Sequence, residues 1–105
     1  MKKIMIDGLE YELIEDYKDG FNESEFKEKF TDYFYDFDYI IGDYSYNKLR
    51  LKGFCDKNNK RYNKINDFNI KNTYLKEYCA YECKYFVLKK VKKGWKIKKI
   101  LVKWI

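Results

Sequence analysis

The reading of the fold turns on Tyr39–Phe54, YIIGDYSYNKLRLKGF. Alternate side chains of a β-strand share a face, so a strand at Lys48–Phe54 puts Leu49 and Leu51 on one side and Arg50 and Lys52 on the other. The leucines are expected to face a core, and the two cations to emerge together as a small ridge. Tyr39–Ile41 reads as a partner strand, joined to the second through Gly42-Asp43-Tyr44-Ser45-Tyr46-Asn47. Gly53 is expected to mark a bend or bulge at the strand end.

Towards the N-terminus, Ile4 and Ile6 alternate, Asp7-Gly8 intervenes, and Leu9, Tyr11 and Leu13 alternate again with Glu10 and Glu12 between them. Asp-Gly readily takes the positive φ angles of a two-residue type I′ turn, which predicts a β-hairpin ended by Lys18-Asp19-Gly20. Asn22 then caps a helix, with Glu25 three residues on and Phe21 placed to pack against Phe26 across the cap. Glu23 and Glu25 suit the positive end of the helix dipole. Phe26, Phe30 and Phe34 follow at a spacing of four, with Tyr33 and Phe37 beside them. This aromatic stripe reads as core.

Towards the C-terminus, residues 56–64 hold a single aromatic among Asp, Asn, Lys and Arg, a polar connection whose first half is expected to be mobile. A second, short helix is expected around Asn72 to Cys79, with Asn72 as its cap. Tyr85-Phe86-Val87-Leu88 is apolar on both faces, as in a central strand covered from two sides. After Lys92-Lys93-Gly94 the chain is expected to turn back, with a bulge near Lys98-Lys99 keeping Trp95 and Ile97 on the same side as Ile100, Val102 and Trp104. Together these segments predict one α+β domain over residues 1–105: a mainly antiparallel sheet of about five or six strands with one longer and one shorter helix.

Composition narrows the function classes. No uncharged run approaches the roughly 18 residues needed to span a bilayer, and Met1–Asp7 is too polar for a secretory h-region. A cytoplasmic location, reduced cysteines and no membrane partner are therefore expected. Pro and His are absent and Arg is scarce, a pattern that fits an AT-rich coding bias and lowers the weight of the total charge of +6. The distribution of charge is more telling. Residues 1–47 carry five lysines against 13 acids, net −8, whereas residues 48–105 carry 18 cations against four acids, net +14. Such asymmetry points to nucleic-acid or other charged partners; its plainer reading is an acidic half packed against a basic one.

Several blocks resemble a known family. Asp38-Tyr39-Ile40-Ile41-Gly42-Asp43, Leu49-Arg50-Leu51-Lys52-Gly53-Phe54, Tyr78-Cys79 with Cys83, and Tyr85-Phe86-Val87-Leu88-Lys89-Lys90 look like the signature blocks of the YutD-like family. The spacing of Tyr17, Gly20, Asn22, Phe26 and Phe30 is similar too, and the likeness covers residues 9–91. The resemblance implies a small cytoplasmic α+β protein of low-GC Gram-positive bacteria or their mollicute relatives, with no established activity.

Without histidine, neither a Ser-His-Asp nor a Cys-His arrangement can form within the chain. Cys55, Cys79 and Cys83 fall one ligand short of a structural zinc site, so they read as small buried side chains, with a redox pair as the alternative, and no metal or other cofactor is expected. Lys52-Gly53-Phe54 matches only the opening of an RNA-recognition signature, without its second aromatic. The leading expectation is a non-enzymatic RNA-binding or ribonucleoprotein-associated module built on a basic sheet surface. Arg50 and Lys52 would meet phosphates, Lys89, Lys90, Lys92 and Lys93 would extend the surface, and Tyr44 or Tyr46 would stack on an exposed base. The alternative is a protein-interaction module whose halves carry opposite charge. A third reading, a metal-assisted phosphohydrolase, would use Asp36, Asp38 and Asp43.

Overall fold

The computed structural model describes residues 2–78 and 83–91. Five strands form one antiparallel sheet: β1 (Lys3–Ile6), β2 (Leu9–Tyr17), β3 (Tyr39–Ser45), β4 (Lys48–Phe54) and β5 (Tyr85–Val91), in the spatial order β1-β2-β5-β3-β4. The last strand thus inserts between the two hairpins. Its predicted two-sided burial follows from that place: Phe86, Val87 and Leu88 are all fully buried.

The two hairpins turn in the same way. Asp7 and Gly8 have φ of 51° and 79°, the type I′ geometry expected of Asp-Gly. Between β3 and β4, Tyr46 and Asn47 have φ of 52° and 64°. The expected six-residue loop is therefore a two-residue turn, and β3 runs on through Gly42, Asp43 and Tyr44. Gly42 looks like a loop residue in the sequence, yet it is needed in the strand: a Cβ there would lie 2.1 Å from the Phe86 ring. Gly53 likewise marks no bend. A Cβ there would lie 2.4 Å from the Phe37 ring, which packs flat over the strand.

Both faces of the sheet are covered. On one face α1 (Glu23–Lys29) and a 3₁₀ turn at Asp32–Phe34 bring Phe26, Phe30, Phe34 and Phe37 onto Ile4, Tyr11, Ile40, Leu49, Phe86 and Leu88. The Asn22 cap accepts from the Glu25 N–H at 3.0 Å, and the Phe21 and Phe26 rings sit 5.9 Å apart, as the capping pattern predicts. The aromatic stripe does not ride on one continuous helix. α1 stops at Phe30, where the backbone becomes extended, and the run of β-branched and aromatic residues from Thr31 to Phe34 resumes only as a tighter turn.

On the other face a 3₁₀ turn at Phe68–Ile70 and α2 (Lys71–Tyr78) cover Tyr39, Ile41, Phe54 and Val87 with Phe68, Ile70, Tyr74 and Leu75. Asp67, rather than Asn72, supplies the cap, accepting from the Asn69 N–H at 2.9 Å. The polar connection, whose first half is expected to be mobile, is tied down by its own amides. Buried Asp38 accepts from the Asp56 N–H and from Asn59 Nδ2, both at 2.9 Å, while the Asn63 and Asn66 side chains each accept the other's backbone N–H. Cys55 is a buried free thiol, pushed up in pKa by burial, whereas Cys83 is disulfide-bonded and not the reduced thiol expected. Cys79 and the expected C-terminal return strand, with its bulge, lie outside the described residues. Among the described residues no helix is long and apolar enough to cross a membrane.

Candidate functional site

Among the described residues β4 is an edge strand of the sheet, and the chemistry of that edge follows from the turn that precedes it. With Tyr46 and Asn47 as the two turn residues, Ser45 and Lys48 close the ladder as a hydrogen-bonded pair, and the register then makes Asp43–Arg50 and Ile41–Lys52 the next such pairs. The backbone N–H and C=O groups of Leu49, Leu51 and Gly53 consequently point away from β3. Cys55, next in that outward series, is satisfied by the chain itself: its N–H donates to Asn66 O at 2.7 Å and its C=O accepts from the Phe68 N–H at 3.0 Å. From Gly53 back to Leu49 no other strand stands beside β4 among the described residues.

A cleft of about 400 Å³ opens along this edge, and it draws on both faces of the sheet. Phe37 and Tyr33 wall it on the α1 side, Arg50, Lys52 and Tyr74 on the α2 side, and Asn63, Ile65 and Asn66 close its end. Tyr33 and Ile65 are 60% and 71% exposed, large apolar groups presented to solvent at the mouth. Neither is easily read from the sequence. Tyr33 looks like part of the core stripe, and Ile65 is a lone apolar residue in a polar run, its one available signal.

Arg50 does not stand free on this edge. Asp43, directly opposite on β3 and wholly inaccessible, accepts from Nε at 3.2 Å and from Nη2 at 2.8 Å, a two-pronged contact that holds the guanidinium pKa above its ordinary range. Lys52 lies on the same face with its ammonium 5.5 Å from the Phe54 ring centre and 5.9 Å from that of Tyr74.

The remaining sequence candidates are spread over the molecule. Lys89, exposed, shares the Arg50 face through its pairing with Tyr39, two strands away from β4. Lys90 lies on the opposite face, where its ammonium donates to Tyr35 O at 2.6 Å. Tyr44 is on that opposite face as well. Its hydroxyl donates to Glu25 at 2.8 Å and its ring lies 4.6 Å beneath the Lys84 ammonium; burial first, then the Glu25 bond, pushes its pKa up to about 12. Tyr46, 97% exposed, stands at the hairpin tip. Lys92 and Lys93 lie outside the described residues. The structure thus brings Arg50 and Lys52 together and separates Tyr44 and Lys90 from them.

Asp36, Asp38 and Asp43 do not converge either. Asp36 pairs with Arg61 at 3.2 Å, Asp38 anchors the polar connection and Asp43 holds Arg50. No group of three metal-ligating side chains occurs among the described residues.

The fold and the edge can be set beside known proteins. The model of a family described as "YutD-like: Putative antitoxin YutD-like" matches residues 5–89. Over 90 residues the chain is 43% identical to "Putative antitoxin YutD" of Bacillus subtilis (strain 168), a span that covers 86% of this chain and 99% of that protein. The solution NMR structure of protein yutD from B. subtilis matches with a TM-score of 0.75 at 42% identity, over 89% of this chain and 84% of that one.

Proposed function

The chain belongs to the YutD-like family, and from that premise and the geometry of β4 we propose that it is a non-catalytic module that binds a protein partner. The observation that carries the reading is the stretch of β4 from Arg50 to Gly53 that lines the cleft with no strand beside it among the described residues, flanked by the exposed Tyr33 and Ile65. Proteins normally protect such an edge, and among the described residues the charges of Lys48, Arg50 and Lys52 guard this one from indiscriminate pairing. The relative's name calls it an antitoxin, and the plain sense of that word, the neutralisation of a toxin, points to a toxin protein held by direct contact as the partner class. Affinity capture with the full chain after nuclease treatment tests the reading. A defined protein retained in stoichiometric amount is expected, and capture that vanishes with nuclease would overturn it.

A second reading keeps RNA as partner, with Arg50, Lys52, Lys89, Lys90, Lys92 and Lys93 on phosphates and Tyr44 or Tyr46 on a base. Tyr46 favours it: a bulky residue is held at positive φ with its ring almost wholly in solvent, where packing gives no reason for it. RNA binding of this kind falls steeply with salt and weakens in a Lys52→Glu variant regardless of RNA sequence. Binding that does not depend on salt removes this second reading.

A further inference from the structure

We propose that the β4 edge is a strand-addition site for an extended acidic segment of the partner, one whose apolar and acidic side chains alternate. This rests on the protein-partner reading above and adds where and how the partner docks.

The backbone supplies the attachment. Leu51 and Gly53, which line the cleft, turn their N–H and C=O outward, and a strand laid beside them completes the ladder as β3 does on the inner side, whereas Leu49, 3% exposed, is covered. The chain already demonstrates the pairing at the next position, where Asn66–Phe68 runs parallel to Cys55 and ends the open stretch. Four residues of β4, Arg50 to Gly53, line the cleft, which at about 3.3 Å each leaves room for roughly 13 Å of extended peptide.

The side chains supply the selectivity. A docked strand sends alternate side chains to opposite faces, and the cleft differs on the two. On the α1 side it offers Phe37 and Tyr33, a wall for apolar groups; on the α2 side it offers the Lys52 ammonium to a carboxylate, beside an Arg50 already held by Asp43. The surroundings carry the same sign. Lys48, Lys57, Lys60 and Lys64 are exposed and form no ion pair among the described residues.

Charge also argues against the two nearest rivals for the edge. A second copy pairing β4 on β4 would set Lys48, Arg50 and Lys52 of one copy against the same residues of the other. Residues 92–105 of the chain itself, with six lysines and no acid, have the wrong sign.

The test titrates the ¹⁵N-labelled full chain with three probes: a blocked heptapeptide alternating Glu and Val, the same peptide N-methylated at alternate backbone nitrogens, and a single-stranded oligouridine. The Glu-Val peptide is expected to slow amide exchange of Leu51 and Gly53 at least tenfold and to leave β1 unchanged, and the N-methylated form to bind at least tenfold more weakly. Leu51→Pro removes one outward donor without touching a β3–β4 bond and should weaken the peptide to the same extent; the N-methylated peptide makes the equivalent test on the unaltered chain. Equal binding of the N-methylated peptide, protection at β1 instead, or protection of these amides by oligouridine alone overturns the proposal. A captured protein that survives both Leu51→Pro and excess Glu-Val peptide leaves the partner reading standing and removes this one. Protection by the peptide without any captured protein does the reverse.

Discussion

Arg50→Ala leaves the Asp43 carboxylate, which has no exposure of its own, without its guanidinium. Removing one member of a buried pair costs about 3–5 kcal/mol, because the remaining charge has lost its solvation and its partner alike. Here one side of the pair is wet: the Arg50 side chain is 42% exposed, so water enters from the cleft and the loss falls to about 2–3 kcal/mol. For 105 residues, an unfolding entropy near 2.1 cal/mol/K per residue amounts to about 0.22 kcal/mol/K, so Tm drops by about 9–14 °C. Asp43→Asn keeps the volume and frees Arg50 to turn to solvent, which limits its loss to about 1–1.5 kcal/mol. The double variant then loses about 1.5–2.5 kcal/mol, less than its parts together, and the cycle returns a coupling of about 1–2 kcal/mol. Urea and thermal unfolding of all four proteins measure it, with constant m as the check on two-state behaviour. An Arg50→Ala protein within about 0.5 kcal/mol of its parent, or single losses that simply add, would refute the reasoning.

Tyr46→Asn should stabilise the chain by about 0.5–1 kcal/mol in urea, since Asn tolerates the left-handed φ of 52° that Tyr is forced to adopt there and the exposed ring loses no packing. Gly42→Ala should destabilise by about 1–3 kcal/mol through the clash with Phe86, and a Phe86→Leu background should relieve part of that loss in the same assay. Burial alone would raise the Glu15 carboxyl, but the hydrogen bonds from Lys71 and Tyr85 prevail and hold it low. A carboxyl held low stabilises the fold above its unfolded-state pKa and ceases to as pH falls through the folded value. The Tm of the parent should therefore fall more steeply than that of Glu15→Gln between about pH 5 and pH 3.

Much of the fold was legible because the strongest sequence signals are local and periodic. The Asp7-Gly8 turn, the Asn22 cap and the two-sided Tyr85–Leu88 strand each follow from a few adjacent residues whose roles do not depend on distant partners. The errors fall where a distant group decides. Gly42 and Gly53 read as breakers until the Phe86 and Phe37 rings are seen over them, and those contacts span 44 and 16 positions of the sequence. The first half of Asp56–Lys64 reads as mobile because amides pinned to Asp38, the Asp56 backbone N–H and the Asn59 side chain, are indistinguishable in sequence from solvated ones. The site was half legible. Alternation in Lys48–Phe54 correctly put Arg50 and Lys52 on one face, but an edge position is a property of the sheet order, and the insertion of β5 that leaves β4 outermost cannot be read from any one strand.

The uneven charge acquires a different meaning once the strands are paired. The acidic half does not simply blanket the basic one. Glu15 takes Lys71, Asp36 takes Arg61 and Asp43 takes Arg50, three contacts that join the halves at separate places around the α2 face and the polar connection. Lys2 and Lys3 meanwhile pair within the acidic half, with Glu23 and Glu10. Among the described residues Lys48 at the start of β4, and Lys57, Lys60 and Lys64 in the connection that follows it, enter no ion pair, and neither do the exposed Lys29, Lys76, Lys84 and Lys89 elsewhere on the molecule. Part of the surplus therefore adjoins the backbone that lacks a neighbouring strand among the described residues. Ladder geometry picks out this edge and the nearby lysines set the sign of what it accepts, so an acidic extended segment satisfies both at once.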